Sequence, residues 1–390
     1  MPRRFLLHIV LLWLAGNALR LTILAVPPVI PSIHDDLNLS ATGVGILGGL
    51  PVVMFAAAAL PGSLMIARLG PVRALVAGLL LIAVAGALRG AVPAVAWLYA
   101  MTILTGAGVA VMQPAMPVLV ARWTPDRAGF ATAVYSNGLL VGEILPVLLT
   151  IPLVLPLVGG SWQIDLAFWS LPVLAIAALV IVATRPERDE PAAELERPRW
   201  WPDWTDGLIW RLGLTFGSAN AVYFGANTFL PDYLTSHGRP DLISATLSAL
   251  NFGQLPASIL LLPLASRLER RAWPYAAFGA GSLLSVIGIA TTASLWTVAW
   301  AAVLGFCGAG VLVLVLALPP LLRAPPDVAP TSAAMMTVSY TLAMLVAVIS
   351  GAAWDLTGVP AAAFVPIGLC GLLLLTVPAT ISFDRRAKDV

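Results

Sequence analysis

The sequence predicts an all-α integral membrane protein: twelve transmembrane helices in two six-helix bundles, with both termini cytoplasmic. Three observations predict it. First, the 390 residues are 59% hydrophobic and only 10% charged, whereas soluble domains carry roughly 25% charged residues. Too little charge is present to coat a water-facing surface. Second, apolar stretches long enough to cross a bilayer recur along the whole chain. Third, the basic residues gather in alternate connections between those stretches.

A bilayer core ~30 Å thick needs about 20 apolar residues of helix. The first stretch, 5–31, follows the basic start Met1-Pro2-Arg3-Arg4. It has the look of a signal peptide, but no convincing small-residue cleavage site follows, so it is read as a span. The second, 42–67, begins after Asp35 and Asp36 and ends at Arg68. The third and fourth, 72–91 and 94–121, run from Arg73 to Arg122. The fifth, 128–155, starts after Arg127, and the sixth, 163–184, stops at a charged segment. The seventh and eighth are 208–234 and 242–266, with Arg211 near the start of the pair and Arg267, Arg270 and Arg271 at its end. The ninth and tenth, 273–292 and 296–321, close on Arg323. The eleventh and twelfth, 329–354 and 360–382, lead to Arg385, Arg386 and Lys388. Glycine and proline inside these runs are tolerated in lipid when neighbouring helices satisfy the freed backbone groups.

Of the 21 lysines and arginines, all but Arg20, Arg89 and Arg239 fall at the termini or in the even-to-odd connections. The other side holds Asp35, Asp36, Asp165, Asp232, Asp241 and Asp355. The positive-inside rule then places both termini in the cytoplasm, and a bacterial inner membrane is the expected location. The net charge of +2 offers nothing to nucleic acid. Cys307 and Cys370 lie in apolar runs and read as packing residues.

The chain also repeats itself. Residues 106–120 read GAGVAVMQPAMPVLV and residues 308–322 read GAGVLVLVLALPPLL. Pro125-Asp126 reappears as Pro326-Asp327, and Pro31 as Pro231, at nearly the same offset. Two halves in the same orientation imply a parallel repeat about an axis along the membrane normal. The domains are therefore drawn as 1–184, a cytoplasmic linker 185–207, and 208–390. The linker ends in RWWPDWTDGLIW, an aromatic belt before the seventh span.

Six plus six spans with a charged central loop resembles the major facilitator superfamily. Several words are similar to those of its cyanate and 2-nitroimidazole porter family: ALRLTILAVPPVIP at 18–31, LPVVMFAAAALPGSLMIARLG at 50–70, GALRG at 86–90, GAGVAVMQPAMPVLVARWTPDRAG at 106–129, SWQIDLAFWSLPVL at 161–174 and FGSANAVYFGANTFLP at 216–231. The resemblance implies a secondary transporter working by alternating access, with spans 1 and 5 as neighbours. There are departures. Ala67 stands where the superfamily's loop between spans 2 and 3 carries Asp, which puts the usual gating ion pair in doubt. Ala18, with Asn17 beside it, occupies the place of the family's Asn before the first-span Arg. The Gly-Pro signature of drug antiporters is absent from span 5, which weakens a drug-efflux reading of the same fold.

Arg20 carries the functional reading. It is the only charged side chain between Phe5 and Val26, and a lone charge in lipid costs ~2.5 kcal/mol or more. Arg20 lies 15 residues after Phe5, and Glu143 15 after Ala128. At ~1.5 Å per residue both sit ~22 Å from the start of their spans. Opposite charges at one depth point either to a structural salt bridge or to a solute site in which Glu143 is the proton-coupling group or the partner of Arg20. A guanidinium fork suits a small anion such as a carboxylate or cyanate. An arriving anion would displace Glu143, and a carboxylate so stripped takes up a proton; uniport is equally compatible.

Span 7 adds Asn220, Tyr223 and Asn227 on one helical face, as solute donors or as interhelical hydrogen bonds. Asn17, Gln113, Tyr135, Ser136, Asn137, Asn251, Gln254 and Tyr340 are further candidates. Arg89 closes span 3 near the external surface, where snorkelling explains it. His8, His34 and His237 are scattered and form no metal-ligand cluster. No Walker loop, G-x-S-x-G or H-E-x-x-H occurs, so neither an enzyme nor a bound cofactor is expected. A monomer is expected. A receptor or channel that binds without cycling is the alternative from another class, and the duplication speaks against it.

Overall fold

The structure, a computed structural model, describes residues 3–57, 65–66, 68–184 and 202–383. Ala67, most of the linker and the basic C-terminal residues lie outside them. The described residues are helices joined by short turns. α1 is Arg3–Leu24, α2 Ile30–Leu37, α3 Ala41–Ala57, α4 Pro71–Leu88, α5 Val95–Trp123, α6 Ala128–Leu149 and α7 Trp162–Ala183. There follow α8 Gly207–Ser236, α9 Ile243–Phe252, α10 Gln254–Leu268, α11 Ala272–Thr291, α12 Leu295–Leu316, α13 Pro325–Thr357 and α14 Phe364–Thr376.

Among the described residues, nine helices are long and apolar enough to cross a membrane. The other three predicted spans are not among these nine. The helix beginning at Ala41 is described only to Ala57. α8 has 30 residues, but its amides and hydroxyls dilute its hydropathy. The stretch 242–266 divides at Gly253 into α9 and α10. A Cβ there would lie 2.3 Å from the Ala302 carbonyl oxygen, so the chain bends where another backbone presses on it. Span 5 continues past α6 through a five-residue π turn, Thr150–Val154. Pro152 inside it has no N–H to give to the ladder, and the turn widens accordingly.

Helix ends are set by local chemistry. The Ser161 side chain accepts from Ile164 N at the start of α7, and Asp206 accepts from Leu208 N at 2.9 Å to open α8. Ser294 and Thr297 form a capping box at α12. Gly358, in the left-handed region at φ 67°, ends α13.

The chain forms two compact units. One takes in the described residues of 1–38 and 54–194, the other those of 39–53 and 195–390. The first part of α3 therefore belongs to the second unit, where it packs along the C-terminal part of α13. A Cβ on Gly45 would lie 2.3 Å from the Ala347 oxygen, and one on Gly351 2.2 Å from the Ala41 oxygen. Small residues let two backbones touch in this way. Asp355 completes the contact, accepting from Ala41 N and Thr42 N at 2.8 Å each and from the Thr42 hydroxyl at 2.5 Å. A carboxylate on unsatisfied amides at a helix N-terminus meets both their hydrogen-bonding need and the helix dipole.

Asp355→Ala should therefore destabilise the second unit by about 1–2 kcal/mol. It should lower the melting temperature of the purified protein, with Asp355→Asn falling between the variant and the parent. An unchanged melting temperature for the alanine variant would contradict this role.

Candidate functional site

The site of the first unit is built on the crossing of α1 and α6. Gly16 faces the Tyr135 carbonyl, Gly138 the Trp13 carbonyl and Gly142 the Asn17 carbonyl. A Cβ at these positions would lie 2.3, 2.2 and 2.4 Å from the respective oxygens. The two helices therefore meet backbone to backbone, as small-xxx-small sequences allow in membranes. Just past Gly142, Glu143 meets Arg20: Nε to Oε1 is 3.3 Å, with side chains 15% and 9% exposed. The Arg20 guanidinium carbon lies 5.3 Å from the centre of the Phe55 ring. This adds a cation–π contact, worth about 2 kcal/mol when desolvated.

Trp13 organises the neighbouring turn. Its indole N–H donates to Asn137 Oδ1 at 2.9 Å, and its carbonyl accepts from the buried Asn17 amide at 3.5 Å. Asn17 and Asn137 thus converge on Trp13, one turn or two before the charges. Gln113 and Tyr135 are half-buried on α5 and α6.

In the second unit the predicted face of α8 is occupied by the protein's own partners. Asn220 donates to the Ser339 hydroxyl of α13 at 2.8 Å. Tyr223 OH donates to Asn251 Oδ1 at 2.6 Å. Asn251, fully buried, donates to Asn227 Oδ1 at 3.2 Å and to the Leu247 carbonyl at 2.8 Å. Asn227 donates to the Tyr223 carbonyl at 3.0 Å, and the Gln254 amide reaches Asn251 Oδ1 at 3.5 Å. Tyr340 is buried on α13, its ring 6.1 Å from that of Phe216. Tyr223, Asn227, Asn251 and Gln254 therefore form one network without formal charge. Asn220 stands apart on its own bond.

Arg89 requires a correction. It does not snorkel to a surface: it is 1% exposed, and its Nη1 donates to the Thr22 carbonyl at 2.7 Å. Packing against α7 seals it in. A Cβ on Gly86 would lie 2.6 Å from Ser170 Oγ, and one on Gly90 2.6 Å from Gln163 Cα. That antiparallel register puts Arg89 level with Asp165, which is also fully buried. The sequence reading missed Trp13, Phe55 and the burial of this second charged level. Gly138-Leu-Leu-Val-Gly142 was the available signal for the first site, as a Gly-x-x-x-Gly face directly before an acid.

The described residues thus hold apolar membrane-length helices, a buried Arg20–Glu143 ion pair and a neutral amide network, and the class of protein follows from the family to which they belong, multi-pass membrane transporters of small solutes. The chain belongs to the Major Facilitator Superfamily, whose family model matches residues 12–352. It is 28% identical to the cyanate transport protein CynX of Escherichia coli (strain K12) over 67% of this chain and 68% of that one. It is 28% identical to the 2-nitroimidazole transporter of the same organism over 64% and 63%. Its fold matches that of a bacterial homologue of the human lysosomal transporter Spinster, in an inward-facing and unoccupied conformation. That match has a TM-score of 0.74 at 16% identity and covers 97% of this chain and 96% of that one.

Removing one partner of a buried ion pair costs about 3–5 kcal/mol, whereas replacing both with apolar groups is often neutral. Arg20→Met and Glu143→Leu should each lower the melting temperature strongly, and the double variant should recover most of the loss. Simple additivity of the two single effects would contradict a coupled pair.

Proposed function

We propose that this protein is a secondary active transporter of the bacterial inner membrane, carrying a small anion or compact polar solute by alternating access. It spans the membrane twelve times, works as a monomer and keeps both termini in the cytoplasm. Its solutes are of the cyanate, nitrate or nitroimidazole kind. The observation that carries this reading is the buried Arg20–Glu143 pair at 3.3 Å.

Arg20 is the anchor. In the resting protein Glu143 neutralises it, so the buried charge is tolerated. An incoming anion offers the guanidinium a planar acceptor in place of the carboxylate. Glu143, released into a poorly hydrated surrounding, takes a proton with it. The net charge of the site is then unchanged by loading, because one anion and one proton enter together. This makes the cycle an anion–proton symport. Asn17, Gln113, Tyr135 and Asn137 in the first unit supply neutral donors that orient the solute, and Asn220, Tyr223, Asn227 and Tyr340 are a separate set of candidate solute contacts within the second unit. Resemblance to the cyanate and 2-nitroimidazole transporters supports compact, planar solutes.

Counterflow of labelled cyanate, formate and nitrate into proteoliposomes tests the reading. Arg20→Ala should reduce counterflow of the preferred anion about 10- to 100-fold, the scale of one lost charge-assisted pair. Arg20→Lys should fall between. Undiminished counterflow by Arg20→Ala would remove Arg20 from the path.

A further inference from the structure

Two acids stand near the start of α7, and their surroundings differ. Asp36, on α2, accepts from the Trp162 indole N–H at 2.9 Å and from the Gln163 amide at 3.0 Å. Asp165, in the first turn of α7, is 0% exposed, and neither of its carboxyl oxygens has a hydrogen-bond partner among the described residues. The side-chain donors nearest to it along α7 are committed elsewhere. Ser161 gives its hydroxyl hydrogen to Gln163 Oε1 at 2.8 Å, and Ser170 gives its own to the Leu166 carbonyl at 2.9 Å. One turn on, on the same helical face, the Trp169 indole N–H goes to the Thr150 hydroxyl at 2.8 Å. The charged group at this level on α4 is Arg89, whose Nη1 is spent on the Thr22 carbonyl of α1. Arg89 Nε and Nη2 have no partner among the described residues either, so the two opposite charges share a level without a hydrogen bond between them. Arg73 is at the other end of α4. On α1, Arg20 faces Glu143, and Arg4 and His8 stand at the far end. The π turn Thr150–Val154 carries no charged residue.

We infer that Asp165 is a second proton-binding site, distinct from Glu143, and that its carboxyl carries a proton near neutral pH in this conformation. An ionised carboxylate is an acceptor only and needs donors to replace the water it loses. Asp165 has lost the water and gained no donor, which disfavours the charged form. The N-terminus of α7 attracts negative charge, but a helix dipole is weaker than the loss of hydration. A neutral acid avoids that loss. The carboxyl is also closed in. A Cβ on Gly86 would lie 2.6 Å from Ser170 Oγ, and one on Gly90 2.6 Å from Gln163 Cα. The proton therefore exchanges with water only when α4 and α7 part. In the proposed topology this is the external end of the unit, so the site loads from outside. Its proton does not depend on a transported solute, because no solute contact is needed to hold the carboxyl neutral.

Infrared spectroscopy of the full-length protein in detergent, carrying carbon-13 in its aspartate side-chain carboxyls, tests this directly. The measurement is made at about pH 6, where an ordinary aspartate is ionised. The parent should show the isotope-shifted carbonyl stretch of a protonated aspartic acid. Asp165→Asn should lack it, and Glu143→Gln should keep it. Melting temperature against pH is the second readout. A sealed carboxyl keeps a proton that the unfolded chain gives up, so rising pH favours unfolding. Between about pH 5 and 6.5 the parent's unfolding equilibrium should shift about tenfold per pH unit relative to Asp165→Asn, whose melting temperature should be the flatter. A parent without the labelled band, an undiminished band in Asp165→Asn, or equal pH slopes would overturn the proposal. Should Asp165→Asn misfold, Asp232→Asn decides. Asp232 is the other buried aspartate among the described residues, and loss of the band with its replacement would overturn the assignment to Asp165. None of these readouts uses a transported solute. A missing band with counterflow intact therefore sinks this inference alone, and lost counterflow in Arg20 variants leaves it standing.

Discussion

A charge inside a bilayer must be answered, and for Arg20 the answer is an ion pair with Glu143. The Arg20 guanidinium has little access to water, and Glu143 stands 3.3 Å away with even less. Either side chain alone would be costly to bury. Together they hold α1 against α6 at a fixed rotation, because a slip of one residue on either helix would part them. The crossing that makes this possible is a stripe of glycines, Gly16, Gly138 and Gly142, each against a carbonyl oxygen of the facing helix. Side chains there would hold the helices apart and pull the charges out of reach. Phe55 then covers the guanidinium with a ring face, a partner that attracts the cation without competing for its N–H donors.

Among the described residues the first unit buries more charged side chains than the second, where Asp232 is the buried carboxylate. The first holds Arg20, Glu143, Arg89 and Asp165. The second uses a chain of amides and hydroxyls through Tyr223, Asn251, Asn227 and Gln254. A neutral network of that kind is cheap to bury once its donors are paired, and its individual bonds contribute only ~0.6 kcal/mol in membranes. It can exchange a bond with a solute at little cost. The ion pair cannot be opened so readily, and this is why the proposal assigns the driving step to Arg20 and Glu143. In that proposal a proton on Glu143 compensates the charge that the anion brings.

Much of the architecture was legible in the sequence because hydropathy and charge act locally. The stretches 72–91, 94–121 and 273–292 coincide with α4, α5 and α11 to within a few residues, since apolar length alone determines them. Equal depth along two spans, together with the adjacency of spans 1 and 5 that the family resemblance implied, pointed to the Arg20–Glu143 pair. The helical spacing of Asn220, Tyr223 and Asn227 did place them on α8, but it could not show their partners. Ser339 is 119 residues away and Asn251 28 from Tyr223. Arg89 was misread for the same reason. Its position at the end of α4 suggests solvent, and only the approach of α7, through Gly86 and Gly90, encloses it. The division of the eighth span at Gly253 was likewise dictated by a distant backbone, that of Ala302. What the sequence withheld was in each case a contact between helices, not the nature of a helix.

The central claim is that anion binding displaces Glu143 from Arg20 and loads a proton on the freed carboxyl. Isothermal titration of the tightest-binding small anion, in two buffers of different ionisation enthalpy at pH 7, counts that proton directly. The account predicts uptake of about one proton per anion by the parent protein and none by Glu143→Gln, which still binds the anion. Equal proton uptake by the two proteins, or none by either, would contradict it.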